Sequence, residues 1–342
     1  MQIHSAQRAK LWLPCLIALI LPTPMLIAQD YDPDWTRHFR VGLLVGMNIK
    51  ASFKTSGSFD IFRQQQAGVY DDGYVLPSDL QNGYTWNWGY ENQSQNPDGT
   101  DILLMHRATS FSASGSTQSG NSSFTGFDLE YGGNIMRWER VRLGWDFGFG
   151  LLPINFTGRE AMSGVVTGNT YTFNTGNPNL PQAPYHGSAN SGPGSSIRTN
   201  STESGEAFGT GTIVGKQTLN AMLYTFRLGP SLYWDIHPKL GLSAGIGPAV
   251  GFVSGELKFD ETITVDDTGN TTRNKGSVSS TDFVFGGYIN AAVTYHAMEN
   301  GDFYLGIQYM PLGTATIGGS GREARVKLDG QVYLSAGINW PF

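Results

Sequence analysis

The segment "ERVRLGWDFGFGLL", Glu139–Leu152, alternates apolar residues with polar or small ones along its whole length. One face carries Val141, Leu143, Trp145, Phe147, Phe149 and Leu151, and the other carries Arg140, Arg142, Gly144, Asp146, Gly148 and Gly150. Successive side chains of a β-strand point to opposite faces, whereas an α-helix would scatter these apolar residues around its axis. The segment therefore predicts a strand with one wholly apolar face.

The same alternation occurs in seven further segments. With the first, they predict strands near residues 39–53, 124–136, 140–152, 218–233, 240–253, 281–296, 303–310 and 325–342. Most are as long as the 9 to 11 residues, roughly, that a tilted strand needs to cross a bilayer. An even number of strands is typical of bacterial outer-membrane barrels.

The connections between these strands alternate strictly between short and long. The short ones are "RWE" (137–139), "DIHPK" (235–239) and "AMENGD" (297–302), and the long ones span 54–122, 153–217, 254–280 and 311–324. Outer-membrane barrels have short periplasmic turns and longer external loops. We therefore predict an all-β, antiparallel, up-and-down transmembrane barrel of eight strands, with both ends periplasmic and four external loops.

The first long loop leaves an alternative open. Its segments "YTWNWGYE" (84–91) and "DILLMHR" (101–107) have strand-like composition. They can fold as an external hairpin that caps the barrel, which we favour, or enter the wall and make ten strands. The loop is too aromatic for a disordered segment. Its aromatic surface can bind an extracellular ligand through residues 54–122 or can equally pack against itself.

Composition excludes several classes of protein. The net charge is -6 and charged residues make up 15% of the chain, so the sequence predicts no nucleic-acid partner. Arg8 and Lys10 precede an apolar run that ends at Ala28, which predicts a secretory signal peptide over 1–28 and a barrel over 29–342. Cys15, the single cysteine, lies in that peptide, so the mature chain is expected to have no disulfide or thiolate metal site.

With these segments the chain resembles the small bacterial outer-membrane β-barrels of the OmpA or OmpX type. The most specific part is the last strand, which ends on alternating apolar residues and a terminal aromatic one: Leu334, Ala336, Ile338, Trp340 and Phe342. The resemblance implies that this pattern is the signal recognised by the barrel-assembly machinery. Pro341 departs from the polar residue that usually precedes the terminal aromatic.

The alternation also predicts which side chains face the lumen and which face lipid. The lumenal charges are Arg40, Asp128, Glu130, Arg142, Asp146 and Arg227. If "RWE" is a three-residue turn, Glu130 lies opposite Asp146, and two carboxylates so placed need a cation or a proton. On the lipid side, Phe39, Trp138 and Trp234 are expected to form a periplasmic aromatic girdle with Trp340 and Phe342.

The predicted function is a structural or surface-interaction role in the bacterial outer membrane, with a lumen plugged by the lumenal side chains. The alternative is a narrow porin for small solutes, and a distant alternative is an outer-membrane lipid-modifying enzyme. The one G-x-S-x-G match, Gly241–Gly245, lies inside a predicted strand rather than on a strand-to-helix turn, and the histidines are scattered, so we predict no catalytic residue, no metal and no cofactor. Outer-membrane lipids and the assembly machinery are the expected partners, and the oligomeric state stays open.

Overall fold

The chain forms an almost wholly antiparallel β structure. The structure, a computed structural model, describes residues 36–58, 66–77, 83–97, 100–115, 123–159, 161–190, 194–266, 269, 271–298, 301–319 and 321–342. The predicted signal peptide, 1–28, lies outside the described residues. Across the described part of the chain, no helix is long and apolar enough to cross a membrane.

In the described part of the chain, the strands follow one another with one short 3₁₀ helix, Gln93–Gln95, between them. Their bounds are β1 Arg37–Met47, β2 Lys50–Ser58, β3 Gly73–Val75, β4 Tyr84–Thr85, β5 Trp88–Tyr90, β6 Ile102–Gly115, β7 Phe124–Arg137, β8 Val141–Gly158, β9 Met162–Asn174, β10 Tyr185–His186, β11 Ile197–Arg198, β12 Ser201–His237, β13 Leu240–Val265, β14 Thr271–Met298, β15 Gly301–Tyr309, β16 Thr314–Gly319, β17 Arg322–Lys327 and β18 Val332–Pro341.

Eight of these strands close into a barrel, as the sequence predicted. The circuit runs β1, β7, β8, β12, β13, β14, β15 and β18, and every neighbouring pair is antiparallel. We call this circuit the lower barrel. Its turn end carries the connections at 138–140 and 238–239. The chain terminus lies there too, because the Phe342 carbonyl accepts hydrogen bonds from the backbone N–H groups of Thr36 and Arg37.

Beyond the lower barrel the same wall continues as an upper barrel. It consists of β2, β6, β9, β16 and β17, together with the far ends of β12, β13 and β14. The ladder pairs β16 with β17, β17 with β2, β2 with β6, β6 with β9, and β9 with β12. Between β16 and β14, side chains bridge the strands, since the Thr316 and Gly318 N–H groups donate to Asp282 (2.7 Å) and Ser280 (2.8 Å).

The structure therefore differs from the predicted external loops 54–122, 153–217, 254–280 and 311–324. Much of each range is strand, because β12, β13 and β14 run on into the upper barrel. The strands β1, β7, β8, β15 and β18 are continued there by β2, β6, β9, β16 and β17. The alternation placed the strand ends too early because the apolar face of the strands changes side. Along β13 the even-numbered residues to Phe252 are apolar and face outward, whereas beyond it the apolar residues Val253, Leu257 and Ile263 are odd-numbered and buried.

The two segments that raised the ten-strand alternative lie outside the lower barrel. "DILLMHR" (101–107) belongs mostly to β6 in the upper barrel wall. "YTWNWGYE" (84–91) forms β4 and β5, which pair with β11 and with β3 and β10 in two small sheets. We call the described residues of 66–101 and 175–200 the external cap.

The outer surface of the lower barrel is an apolar belt between two aromatic levels. The upper level is a row of contacting rings, Phe149, Tyr224, Phe252 and Phe283, with centroids 5.1 to 6.5 Å apart. At the turn end Phe39 stacks on Trp340 at 6.4 Å, and Trp138 and Trp234 are about half exposed. Exposed apolar residues between these levels include Leu43, Phe127, Phe147, Leu228, Leu232, Ile246, Phe285, Ile289, Leu305 and Ile307.

Candidate functional site: the charged layer of the lower barrel

Arg227 is the centre of the ionic layer inside the lower barrel. Its guanidinium binds Asp128 through two hydrogen bonds of 2.7 and 2.8 Å and donates a third to Glu130 at 3.1 Å. All three side chains are at least nine-tenths buried. Period 2 places Arg227 on the inner face of β12 and both carboxylates on the inner face of β7.

Arg40 on β1 binds the other oxygen of Glu130 at 2.8 Å. Its remaining N–H groups donate to Ser243 and Asn339, each at 3.3 Å. The guanidinium also lies 5.4 Å from the Tyr233 ring centroid and 5.5 Å from that of Tyr304, within cation–π range. Glu130 therefore bridges two arginines, and this group of two cations and two carboxylates is neutral.

Asp146 joins the layer through Tyr233 and His38. The Tyr233 hydroxyl lies 2.6 and 2.7 Å from the two Asp146 oxygens and 2.9 Å from His38 Nε2. His38, Glu130 and Asp146 are the one group in the described residues whose possible metal-ligand atoms lie within 4.8 Å of one another. Because arginine and tyrosine donors already occupy these carboxylates, a metal ion would have to displace those hydrogen bonds.

The predicted register between β7 and β8 was wrong. Asp146 lies opposite Gly132, and Glu130 lies opposite Gly148. The turn lies further along the chain than "RWE", since the Trp138 N–H bonds to the Val141 carbonyl, and the ladder is irregular between Asn134 and Met136. The net shift is two residues, which preserves the inward face of both carboxylates.

Gly148 makes room for Arg227. A Cβ atom at this position would lie 2.3 Å from the guanidinium carbon of Arg227. Real side chains do not approach so closely, so any other residue at position 148 would push the guanidinium away from Asp128. The glycines of the inner face thus serve the layer, because they let large charged side chains lie flat against the wall.

Arg142 forms a separate group nearer the turn end. Its guanidinium lies 2.7 Å from Asp235. His296 lies 3.0 Å from Asp302 and 3.8 Å from Asp235, and Asn339 donates to Asp302 at 3.0 Å. The structure therefore brings together Arg40, Asp128, Glu130 and Arg227 directly, attaches Asp146 through Tyr233, and places Arg142 in this neighbouring group.

Several members of these groups were missed from the sequence. His38 shares the inward face of Arg40, and Tyr233 and Asp235 share that of Arg227, so the same alternation already marks them. Asp302 and Asn339 meet in the ladder that pairs β15 with β18. They were not predicted as members of the network, because a histidine or tyrosine in a strand does not by itself indicate a charge network.

Above the charged layer the interior becomes apolar. A continuous buried cluster extends from the lower into the upper barrel and includes Leu44, Phe53, Leu152, Ile154, Phe156, Leu219, Leu223, Val253, Leu257, Val284, Met310, Leu312 and Tyr333. Beside Arg40, Asp128, Glu130 and Arg227 a cavity of about 20 Å³ remains, enough for about one water molecule. Among the described residues, side chains therefore occupy the interior around the charged layer and in the apolar cluster above it.

The upper barrel also contains a buried ion pair. The Arg322 guanidinium binds Glu261 at 2.6 Å and lies over the rings of Phe111 and Phe259. Gln217 donates to the same carboxylate at 3.1 Å. On the outer wall nearby, two hydrogen bonds of 2.9 Å from Arg273 lower the pKa of Asp260.

The external cap packs around its own aromatic residues. Trp88 and Tyr90 are fully buried and stacked at 5.9 Å, and the Trp88 indole N–H donates to the Ser195 carbonyl at 2.8 Å. His106 lies 2.6 Å from Asp72. Burial raises the pKa of Tyr90, whose hydroxyl bonds to the Pro181 carbonyl. The most aromatic part of the predicted loop is therefore largely engaged in packing within the cap.

The last strand lies where the sequence placed it. Leu334, Ala336, Ile338 and Trp340 are on the outer face of β18, which pairs with β1 on one side and β15 on the other. Phe342 is exposed, while its backbone joins the start of β1.

Fold and lumen together define an eight-stranded antiparallel barrel with an apolar outer belt and a charged interior, an architecture typical of small outer-membrane barrels. The sequence matches no protein-family model and no curated protein.

Solved structures similar to the chain include three outer-membrane proteins. The outer-membrane protease OmpT of Escherichia coli has 10% identity and a TM-score of 0.33, over 92% of this chain and 99% of that chain. The outer-membrane protein OprG of Pseudomonas aeruginosa has 11% identity and a TM-score of 0.31, over 90% and 96%. The attachment invasion locus protein Ail of Yersinia pestis has 10% identity and a TM-score of 0.27, over 88% and 98%. At these TM-scores the likeness carries no functional argument.

Proposed function

We propose that this chain is a bacterial outer-membrane barrel protein with a structural or surface-interaction role and a lumen closed by its own side chains. The observation that carries the proposal is the filled interior, in which the layer around Arg227 is followed by the apolar cluster around Leu152 and Leu223. An eight-stranded barrel is just wide enough for side chains to fill its interior.

The height of the outer belt supports the membrane location. Ten residue steps separate Tyr224 from Trp234 along β12. At about 3.3 Å per residue and a strand tilt of roughly 40°, they span about 25 Å, the usual height of the apolar band in such barrels. Beyond the upper ring row the outward residues become polar, as Asn155, Asn220 and Glu256 show. An exposed apolar surface of this size would be a liability in water.

Conductance decides between this proposal and the narrow porin. We expect the purified wild-type chain in planar lipid bilayers to give only small or rare currents. A variant with Leu44, Leu152 and Leu223 changed to alanine removes part of the apolar cluster and should raise the current. The matched control changes three outward leucines, Leu43, Leu143 and Leu228, to alanine and should not. A large steady conductance of the wild type would establish a pore and overturn the closed lumen.

We further propose that the last residues of β18 act as the assembly signal, with Phe342 its main determinant. Phe342→Ala should reduce the amount of chain recovered in the outer-membrane fraction several-fold while leaving export to the periplasm unchanged. Phe303→Ala is the control, because Phe303 is also exposed at the turn end. An equal loss of recovered chain for both variants would mean that Phe342 acts only through contact with lipid and is not part of an assembly signal.

The surface-interaction role assigns ligand binding to the exposed residues of the external cap. Tyr74 and His186 stack at 6.5 Å, and His186 lies 3.6 Å from the half-exposed Glu91. These side chains, unlike Trp88 and Tyr90, are accessible to an external partner. Absence of enzymatic activity remains a prediction, as does absence of a metal or cofactor.

A further inference from the structure

Two lysines face each other on the outer wall above the belt. Lys50 on β2 pairs directly with Lys327 on β17, and both are exposed while their chain neighbours Ala51 and Val326 are buried. Like charges at directly opposed positions destabilise a sheet. In the part of the chain that the structure describes, neither lysine forms an ion pair. The acidic residue of β17, Glu323, is bound to Arg325 at 3.3 Å.

The lysine pair lies at the upper edge of the apolar belt. Met47 and Val332 form the uppermost ladder pair between β1 and β18, and Lys50 follows Met47 by three residues. At about 3.3 Å per residue, the lysines are roughly 10 Å beyond the belt at most. Long lysine side chains readily reach back toward a membrane interface. Their ammonium groups are therefore placed at the level of lipid headgroups.

A groove lies in the belt, and the strand at its edge, β15, pairs with β18, the strand that follows β17. The groove has a volume of about 570 Å³ and forms where outward positions carry the small residues Pro230, Ala244 and Ala291. The larger side chains that border it include Leu143, Leu232, Ile246, Ile289, Ile307 and Tyr309. The Tyr309 hydroxyl donates to the carbonyl of Asp329, two residues after Lys327, at 3.4 Å. The groove margin is thus hydrogen-bonded to the segment that carries the lysine.

We propose that this surface holds one phosphate-bearing lipid of the external leaflet, with a phosphate on Lys50 and Lys327 and an acyl chain in the groove. The proposal rests on the membrane location proposed above. Charge complementarity selects this occupant, because an anion between the lysines removes their mutual repulsion. A second copy of the chain fits less well, since a two-fold interface centred on the pair would bring the same lysines together.

The test uses the full chain in detergent micelles, with bis-phosphorylated lipid A as probe and native mass spectrometry as readout. We expect the wild type to retain one lipid, and K50Q/K327Q to bind it roughly thirtyfold more weakly, as expected for the loss of two interfacial cations. Ala291→Trp, which fills the groove, should also weaken retention. The controls are K216Q/K275Q, two exposed lysines elsewhere on the upper barrel wall, and Thr125→Trp at an exposed position of β7, the strand opposite β14 in the circuit of eight.

Equal retention by K50Q/K327Q and K216Q/K275Q would overturn the lipid site, and so would equal retention by the two tryptophan variants. Insertion is checked separately by heat-modifiable gel migration in vesicles. If the wild type inserts but shows no lysine-dependent lipid, only this inference fails. A wild type that stays soluble without detergent overturns both this inference and the proposed function.

Discussion

Arg227→Met is expected to lower the free energy of unfolding by about 3–5 kcal/mol, because it leaves a buried carboxylate without its cation. Asp128 has its two oxygens on Arg227, whereas Glu130 keeps its hydrogen bond to Arg40. Methionine retains most of the side-chain volume, so the loss reports charge rather than a cavity. Urea unfolding in lipid vesicles, followed by tryptophan fluorescence, measures it.

Arg273→Met is the matched control for this substitution. Arg273 also makes two hydrogen bonds of 2.9 Å to one carboxylate, Asp260, but both side chains are exposed. An exposed pair contributes about 0–1 kcal/mol, so its removal should cost little. A double variant extends the test. D128L/R227M removes the unpaired carboxylate and leaves the Arg40–Glu130 pair balanced, so it should recover most of the unfolding free energy that Arg227→Met loses. Equal costs for Arg227→Met and Arg273→Met would show that the layer does not stabilise the barrel.

Trp88→Ala is expected to destabilise the external cap by about 3–5 kcal/mol without unfolding the lower barrel. Trp88 is fully buried between Tyr90 and Tyr185 and donates to the Ser195 carbonyl. At about 1.4 kcal/mol per factor of ten, the open population of the cap should rise by about two orders of magnitude or more. Limited proteolysis of the protein in lipid vesicles measures this open population, as faster cleavage within 66–101.

Trp86→Ala provides the comparison, because Trp86 lies two residues away and is partly exposed. Its cleavage rate should stay close to that of the wild type. Both variants should keep wild-type heat-modifiable migration, which reports the lower barrel. If Trp88→Ala is cleaved no faster than Trp86→Ala, the cap is not a packed unit, and ligand binding would have to be sought on a flexible loop.

Alternation predicted the lower barrel because its period follows directly from the geometry of a strand, and a lipid-facing side must be apolar. In β8 the alternation predicted the strand itself and also that Arg142 and Asp146 lie on its inward face. The same rule did not predict the upper barrel. Its outer face meets water, so the apolar side chains of β13 beyond Phe252 move to the inner face, and the strand seemed to end.

The partners within the charged layer depend on register, which local sequence does not set. The β7–β8 turn lies further along the chain than "RWE" and the ladder slips between Asn134 and Met136, so Asp146 meets Gly132 rather than Glu130. Arg40 and Arg227 reach Glu130 from strands on either side of β7 and β8, a neighbourhood created by barrel closure.

The sequence by itself determined the class of fold, the number of lower-barrel strands and the face on which each side chain lies, because these follow from a period of two residues. Only the tertiary structure decided which charges pair, that Lys50 meets Lys327, and that the wall continues above the belt. Those features depend on contacts between residues far apart in the chain, such as Arg40 with Asn339, and such contacts exist only once the strands have closed in one register.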